Sequence, residues 1–140
     1  MNEFLARLHH PQLGYRLFAI TVSVLMLFHG VSKLINGVGG IPGMIGAHGL
    51  PEFLGYAVYL GEVVAPLFVL SGFFVAPAAL VMAISMVVAV TLAHVPQIFT
   101  LNTRTGGYAL ELQAFYLLGS IAIALLAPRR GHVLSSTQRR

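Results

Sequence analysis

The sequence predicts an all-α protein, a bundle of four transmembrane helices that forms a single integral membrane domain over residues 1–140. Of these residues, 57% are hydrophobic and only 9% are charged, whereas soluble domains carry about 25% charged residues. Four long apolar stretches recur along the chain, each close to the ~20 residues that a spanning helix needs. Proline, glycine or clustered polar residues separate the stretches, as is typical of loops between helices.

The first predicted span covers about residues 14–34, after a short amphipathic segment. A cleavable signal peptide is the competing interpretation, because Arg7 and Arg16 precede the apolar stretch. Near the end of that stretch, Gly30 and Ser32 imitate a cleavage site. A retained helix is favoured, because the stretch is long and the later spans hold the chain in the membrane in either case.

A glycine-rich loop is predicted at residues 36–51, between the first and second spans. Its glycine content is too high for a spanning helix, yet it contains several apolar residues: Ile41, Met44, Ile45 and Leu50. Irregular backbone cannot face lipid inside the hydrocarbon region. We therefore expect an interfacial or re-entrant loop that packs against the helices or lines a cavity.

The remaining spans are predicted at about residues 53–74, 76–95 and 108–127. Pro66 predicts a kink within the second span, and Pro77 closely follows a Ser-Gly pair, so the second and third spans form a tight hairpin. Small residues at i, i+4 spacing predict close helix packing. They are Ala57, Gly61, Ala65, Ala79, Ala83, Ala89 and Ala93.

The distribution of lysine and arginine predicts that both termini lie in the cytoplasm, since cytoplasmic loops carry an excess of these residues. With four spans both termini share one side of the membrane. The basic residues on that side are Arg7, Arg16, Arg129, Arg130, Arg139 and Arg140. The opposite side holds only Lys33 and Arg104. This concentration of the net charge of +4 at the termini indicates membrane orientation, and nucleic acid is not an expected partner.

Glu62 is the most informative residue, because it lies near the middle of the second apolar stretch. A charge at the centre of a spanning helix costs roughly 2.5–3.5 kcal/mol on insertion scales, so it needs a partner or a function. Lys33 is the expected counter-charge if its long side chain points inward. In the predicted topology nearly all ionisable residues of the spans fall in the outer half. The candidate ligand-binding or proton-handling residues are Glu62, Lys33, His29, His94, Glu111 and Tyr108.

Two structural alternatives to this outer cluster stay open. Lys33, His94 and Glu111 lie near span ends, where their side chains can extend to the interface. The side chain of Glu62 is too short for this, but a Glu62–Lys33 pair that only fixes helix packing explains the same pattern.

The absence of cysteine excludes disulfides, thiolate metal sites, iron–sulfur clusters and covalent c-type haem. His29 and His94 leave a bis-histidine haem site or, with Glu111, a zinc-like site as alternatives, although Pro96 places His94 near the surface. No phosphate loop, dinucleotide fingerprint or nucleophile elbow is present in the sequence. We therefore expect no metal and no intrinsic cofactor, and the sequence identifies no catalytic residue.

Each predicted span carries a short set of residues, and the combination is distinctive. The sets are Arg16…His29-Gly30-x-x-Lys33, Gly61-Glu62…Pro66…Gly72, Met86-x-x-Ala89…His94 and Tyr108-x-x-Glu111-Leu112. Together they resemble the DoxX family of small four-helix bacterial membrane proteins, over about residues 14–135. Residues 131–136 depart from the family pattern, because they lack the Asp of its Ser-Leu-Asp-like ending. The resemblance implies a multi-pass bacterial inner-membrane protein associated with quinone-linked sulfur oxidation or redox-stress complexes.

We therefore expect a membrane subunit of a redox system that binds a quinone or another small amphipathic molecule in an outward-facing polar cavity. Quinone carbonyls need hydrogen-bond donors and their reduction needs protons, which the candidate residues supply. Because the chain has no electron-carrying motif, electrons would come from a partner subunit. The alternative is a non-enzymatic assembly partner or small-solute transport component with a structural Glu62–Lys33 pair. The lipid bilayer is the expected partner, and a second copy of the chain is a further candidate.

Overall fold

The computed structural model describes residues 9–128, and every regular element in that range is helical apart from one isolated β-bridge. The elements are α1 (Pro11–Asn36), α2 (Ile41–Ala47), a 3-10 helix (Glu52–Ala57), a π-helical turn (Leu60–Val64), α3 (Ala65–Ser71), α4 (Val75–Ala93), a second 3-10 helix (Val95–Gln97) and α5 (Glu111–Leu126). The all-helical class predicted from the sequence is confirmed over these residues. The amphipathic segment at the N-terminus and the basic residues Arg7, Arg129, Arg130, Arg139 and Arg140 lie outside them.

Three helical segments are long and apolar enough to cross a membrane: α1, the second span Glu52–Ser71, and α4. Large apolar side chains cover their outer faces; Leu17 is 66% exposed and Ile84 is 62% exposed. Such a surface is solvated by lipid and not by water. The chain is therefore a multi-pass membrane protein, as the sequence predicts.

The fourth apolar helix, α5, is shorter than the others, with 16 residues. At about 1.5 Å per residue it extends roughly 24 Å, less than the ~30 Å thickness of a typical hydrocarbon core. It begins at Glu111, because a β-bridge between Leu101 and Tyr108 holds the preceding residues in a turn. The start of α1 and the end of α5 line one cleft, so they lie at the same end of the bundle. The helix α5 therefore runs antiparallel to α1.

The second span is not a continuous α-helix. It begins as a 3-10 helix, passes through the π-helical turn and continues as α3. Pro66 lies in the first turn of α3 and has no backbone N–H, so the carbonyl of Glu62, four residues earlier, lacks its α-helical donor. The hydrogen-bond register thus changes just before Pro66, and the kink expected at this proline stays a prediction.

The loop between the first and second spans contains α2, which packs against the 3-10 helix that follows it. Gly55 is the point of closest approach, because a Cβ there would lie 3.0 Å from Pro42. Ile45 is buried in this contact region. The loop is thus packed on the second span, and its depth in the membrane stays a prediction.

Small side chains let the spans approach closely in the centre of the bundle. A Cβ on Gly61 would overlap the side chain of Ser85, so the second span and α4 touch at this point. On α4, Ala79 and Ala83 are buried, as expected from their spacing. The fully buried side chains include Val22, Ser23, Met26, Met82, Ser120 and Ile123.

Candidate functional site

Lys33 and Glu62 form an ion pair between α1 and the π-helical turn. Lys33 Nζ lies 2.5 Å from Glu62 Oε1 and 2.6 Å from Oε2, so the ammonium bridges both carboxylate oxygens. The Glu62 side chain is only 4% exposed, whereas 29% of the Lys33 side chain is exposed. No other ion pair forms among residues 9–128. The buried charge found in the sequence therefore has the partner expected for it.

The backbone around Gly30 brings this pair together. A Cβ on Gly30 would overlap the backbone carbonyl of Glu62 and lie 2.6 Å from Val63 Cγ2, so only glycine permits this approach. The carbonyl concerned is the one that Pro66 leaves without its α-helical donor. Lys33 follows Gly30 by three residues and therefore lies on the same face of α1, beside the carboxylate.

Tyr59 adds a second contact between the same two spans. Its hydroxyl donates a hydrogen bond of 3.0 Å to the backbone carbonyl of Lys33. That carbonyl is in the last turn of α1, where carbonyl groups have no partner within the helix. Tyr59 thus holds the backbone of Lys33, while Glu62 holds its side chain.

His29 contacts α5. Its ring meets the ring of Tyr116 edge to face, with centroids 5.6 Å apart and an interplanar angle of 86°. Tyr116 is buried, whereas His29 is exposed. Because His29 precedes Lys33 by four residues, both side chains lie on one face of α1. The imidazole is therefore adjacent to the ion pair and open to the outside of the bundle.

His94 lies directly after α4 and contacts two glutamines. Its Nδ1 lies 3.1 Å from Gln97 Oε1, and its Nε2 lies 3.5 Å from Gln113 Nε2. With the proton on Nδ1, that nitrogen donates to Gln97 and Nε2 faces the Gln113 amide as acceptor. Gln113 precedes Tyr116 by three residues on α5, so the contacts of both histidines fall on one face of that helix.

Side chains from α1, the second span and α5, together with His94 after α4, thus form a row toward the end of the bundle that carries His94. We call this row the polar array: Glu62, Lys33, His29, Tyr116, Gln113 and His94. Tyr59, Gln113 and Tyr116 were not among the residues singled out in the sequence. Gln113 and Tyr116 could have been found in the sequence, because they are polar residues at i, i+3 spacing within the fourth apolar stretch.

Tyr108 and Glu111 lie outside the polar array. The Tyr108 hydroxyl donates a 2.7 Å hydrogen bond to the carbonyl of Ile98, which closes the loop before α5. The exposed side chain of Glu111 folds back over Gly107 at the start of α5, where a carboxylate is favoured by the helix dipole. Neither side chain forms a hydrogen bond or ion pair with Lys33 or Glu62.

Within residues 9–128 no group of three or more His, Cys, Asp or Glu side chains is arranged to hold a metal ion. The zinc-like site considered for His29, His94 and Glu111 therefore has no counterpart in this part of the chain. The two histidines instead contact Tyr116 and Gln113.

The DoxX family model matches residues 15–95, which is more than half of the 140-residue chain. The chain belongs to the DoxX family. The match extends from the second turn of α1 to the end of α4, so it includes Lys33, Glu62, His29 and His94 of this DoxX protein. Tyr108 and Glu111 follow it, and the resemblance expected to extend to about residue 135 is matched only to residue 95. No curated protein and no solved structure matches the chain.

Proposed function

We propose that this DoxX-family protein is the membrane subunit of a redox system and binds a quinone or another small amphipathic molecule at the polar array. One observation carries the proposal: the side chain of Glu62 is 4% exposed, whereas the Lys33 side chain that it holds is 29% exposed. A cationic donor is thereby fixed by a buried anion and still reached from outside the bundle. A quinone carbonyl is an acceptor that such a donor binds.

The neighbouring side chains suit the proton chemistry of a quinone. Its reduction to a quinol takes up protons as well as electrons, and the exposed imidazole of His29 lies four residues from Lys33 on the same face. His94 and its glutamine partners continue the row of polar groups along α5. The chain contributes binding and protons in this proposal, while electrons arrive from a partner subunit.

We also propose that the end of the bundle with the polar array faces away from the cytoplasm of a bacterium, in the inner membrane. The support is the excess of arginine near both ends of the sequence, set against Lys33 and Arg104 alone on the opposite side. Tyr108 and Glu111 lie outside the polar array, so they are not part of the proposed binding site.

Binding is tested with the purified full chain, titrated with a short-tailed benzoquinone and followed by native mass spectrometry. The informative variant is the double substitution Lys33→Met with Glu62→Gln, because it removes both charges and leaves no unpaired ion. We expect it to fold and to bind the quinone at least about tenfold more weakly, the loss of one charge-assisted hydrogen bond. Arg104→Gln is the matched control, since it removes an exposed cation from a loop. Equal quinone affinity in all three proteins would contradict the proposal.

An architectural role is the second candidate, and it is favoured by a different observation: Lys33 occupies both oxygens of Glu62. The protein would then be an assembly partner or small-solute transport component whose ion pair holds two spans together. Removing one member of a buried pair typically costs about 3–5 kcal/mol. If Glu62→Gln fails to accumulate in cells and the added Lys33→Met restores both protein level and cellular phenotype, the architectural role is correct.

A further inference from the structure

A cleft lies at the end of the bundle opposite the polar array, where α1 begins and α5 ends. Its volume is about 870 Å³, within the ~300–1,000 Å³ range of small-molecule sites. Parts of α1, α3, α4 and α5 form its walls. The walls are largely apolar and include Ala19, Ile20, Val69, Leu70, Val75 and Leu125.

Arg16 is the charged residue in the lining of this cleft. It forms no ion pair or side-chain hydrogen bond with any residue in the described range 9–128. The carboxylates in that range do not neutralise it: Glu62 is bound by Lys33, and Glu52 and Glu111 lie against Gly46 and Gly107. The guanidinium therefore offers its N–H donors to an anion from outside the described chain.

Tyr15 supplies a second polar group in the same lining. Its ring packs against the core of the bundle, and its hydroxyl oxygen is buried without a hydrogen-bond partner. Buried hydroxyl groups in proteins nearly always have a partner, and the described residues 9–128 supply none to this one. The first turn of α4, residues 75–77, also lines the cleft, and its helix dipole favours an anion there.

We infer that this cleft binds an acidic phospholipid, with Arg16 and Tyr15 holding the headgroup phosphate and the apolar walls holding part of an acyl chain. Guanidinium and phosphate match in geometry and form paired hydrogen bonds. The apolar walls favour a lipid over free phosphate, because a soluble anion would leave them in contact with water. This site is separate from the polar array and does not depend on quinone binding.

The test uses the full chain purified in detergent and titrated with phosphatidylglycerol, phosphatidylcholine or inorganic phosphate, with bound species counted by native mass spectrometry. We expect phosphatidylglycerol to bind best and Arg16→Gln to weaken it about tenfold, the loss of a charge-assisted hydrogen bond. Tyr15→Phe should weaken it severalfold, since it removes only the hydroxyl. Arg104→Gln is the matched control, because it removes an exposed arginine from a loop at the other end of the bundle.

Arg16 is exposed, so Arg16→Gln should keep the helix content of the parent, which circular dichroism checks. Three results would overturn the inference. One is an equal loss of lipid binding in Arg16→Gln and Arg104→Gln, which would indicate general surface charge. The second is equal binding of phosphatidylglycerol and phosphatidylcholine, which would show that the cleft does not select an acidic headgroup. The third is displacement of the lipid by inorganic phosphate, which would assign the cleft to a free anion.

Discussion

The close contact at Gly30 yields the sharpest prediction about stability. Replacing Gly30 by alanine adds one methyl group where α1 meets the backbone of Glu62. The new Cβ would lie 2.6 Å from Val63 Cγ2 and 2.7 Å from the carbonyl carbon of Glu62, against about 3.5–4.0 Å for a favourable carbon–carbon contact. The two spans must therefore separate by roughly 1 Å to relieve the overlap.

The expected cost follows from the rigidity of the atoms involved. Overpacking of this kind costs about 1–3 kcal/mol, and the upper end applies because a backbone carbonyl cannot rotate away as a side chain can. Alanine also gains about 0.5–1 kcal/mol over glycine within a helix. Gly14→Ala on the same helix receives only this gain, because, apart from the adjoining residues and backbone of α1 itself, no atom of residues 9–128 lies within 4 Å of its added Cβ. The difference between the two variants isolates the overlap, and we expect about 3 kcal/mol.

The measurement is the free energy of unfolding in detergent micelles, obtained by titration with SDS and followed by far-ultraviolet circular dichroism. Gly14→Ala should unfold at the same or a higher SDS fraction than the parent, and Gly30→Ala at a clearly lower one. A gap between the variants below about 1 kcal/mol would refute the argument, because it would mean that the spans separate without loss of packing.

Further predictions concern the second span and the topology. Gly61→Ala should destabilise the protein by about 1–3 kcal/mol, because its Cβ overlaps the side chain of Ser85. The added Ser85→Gly should recover part of this loss in unfolding free energy. If it recovers none, the overlap with Ser85 is not the cause of the loss. Tyr59→Phe should cost about 1 kcal/mol by removing the hydrogen bond to the Lys33 carbonyl, whereas Tyr56→Phe, at an exposed ring, should change the unfolding free energy little. A reporter fused to the C-terminus should give a cytoplasmic signal, and a periplasmic signal would reverse the proposed orientation.

The apolar helices and the partner of Glu62 follow from the sequence for one physical reason. Lipid tolerates few charges, so each apolar stretch stands out and each charge inside one has few partners. Lys33 is the only lysine in the chain, which made it the natural counter-charge once the topology placed it in the same half of the membrane. The free-energy cost of burying an unpaired charge in lipid therefore predicts the Lys33–Glu62 contact better than any local sequence preference does.

Other features depend on interactions that hydropathy does not report. Pro66 marks an irregular point in the second span, but the π-helical register depends on which carbonyl each N–H finds after the proline removes one donor. Glu111 and Tyr108 are polar groups near a span, yet the loop before α5 satisfies them locally. The cleft beside Arg16 was not predicted, because it forms from four helix ends that are distant in sequence.

The Lys33–Glu62 pair has a consequence for how the protein is made. Glu62 alone opposes entry of the second span into lipid, because a charge at the centre of a helix costs roughly 2.5–3.5 kcal/mol, whereas Lys33 is in the last turn of α1. The two residues are 29 positions apart, with the packed loop of α2 between them. We expect α1 and the second span to leave the translocon together as a hairpin, their charges already matched. Membrane insertion of the first half of the chain thus becomes a single cooperative event.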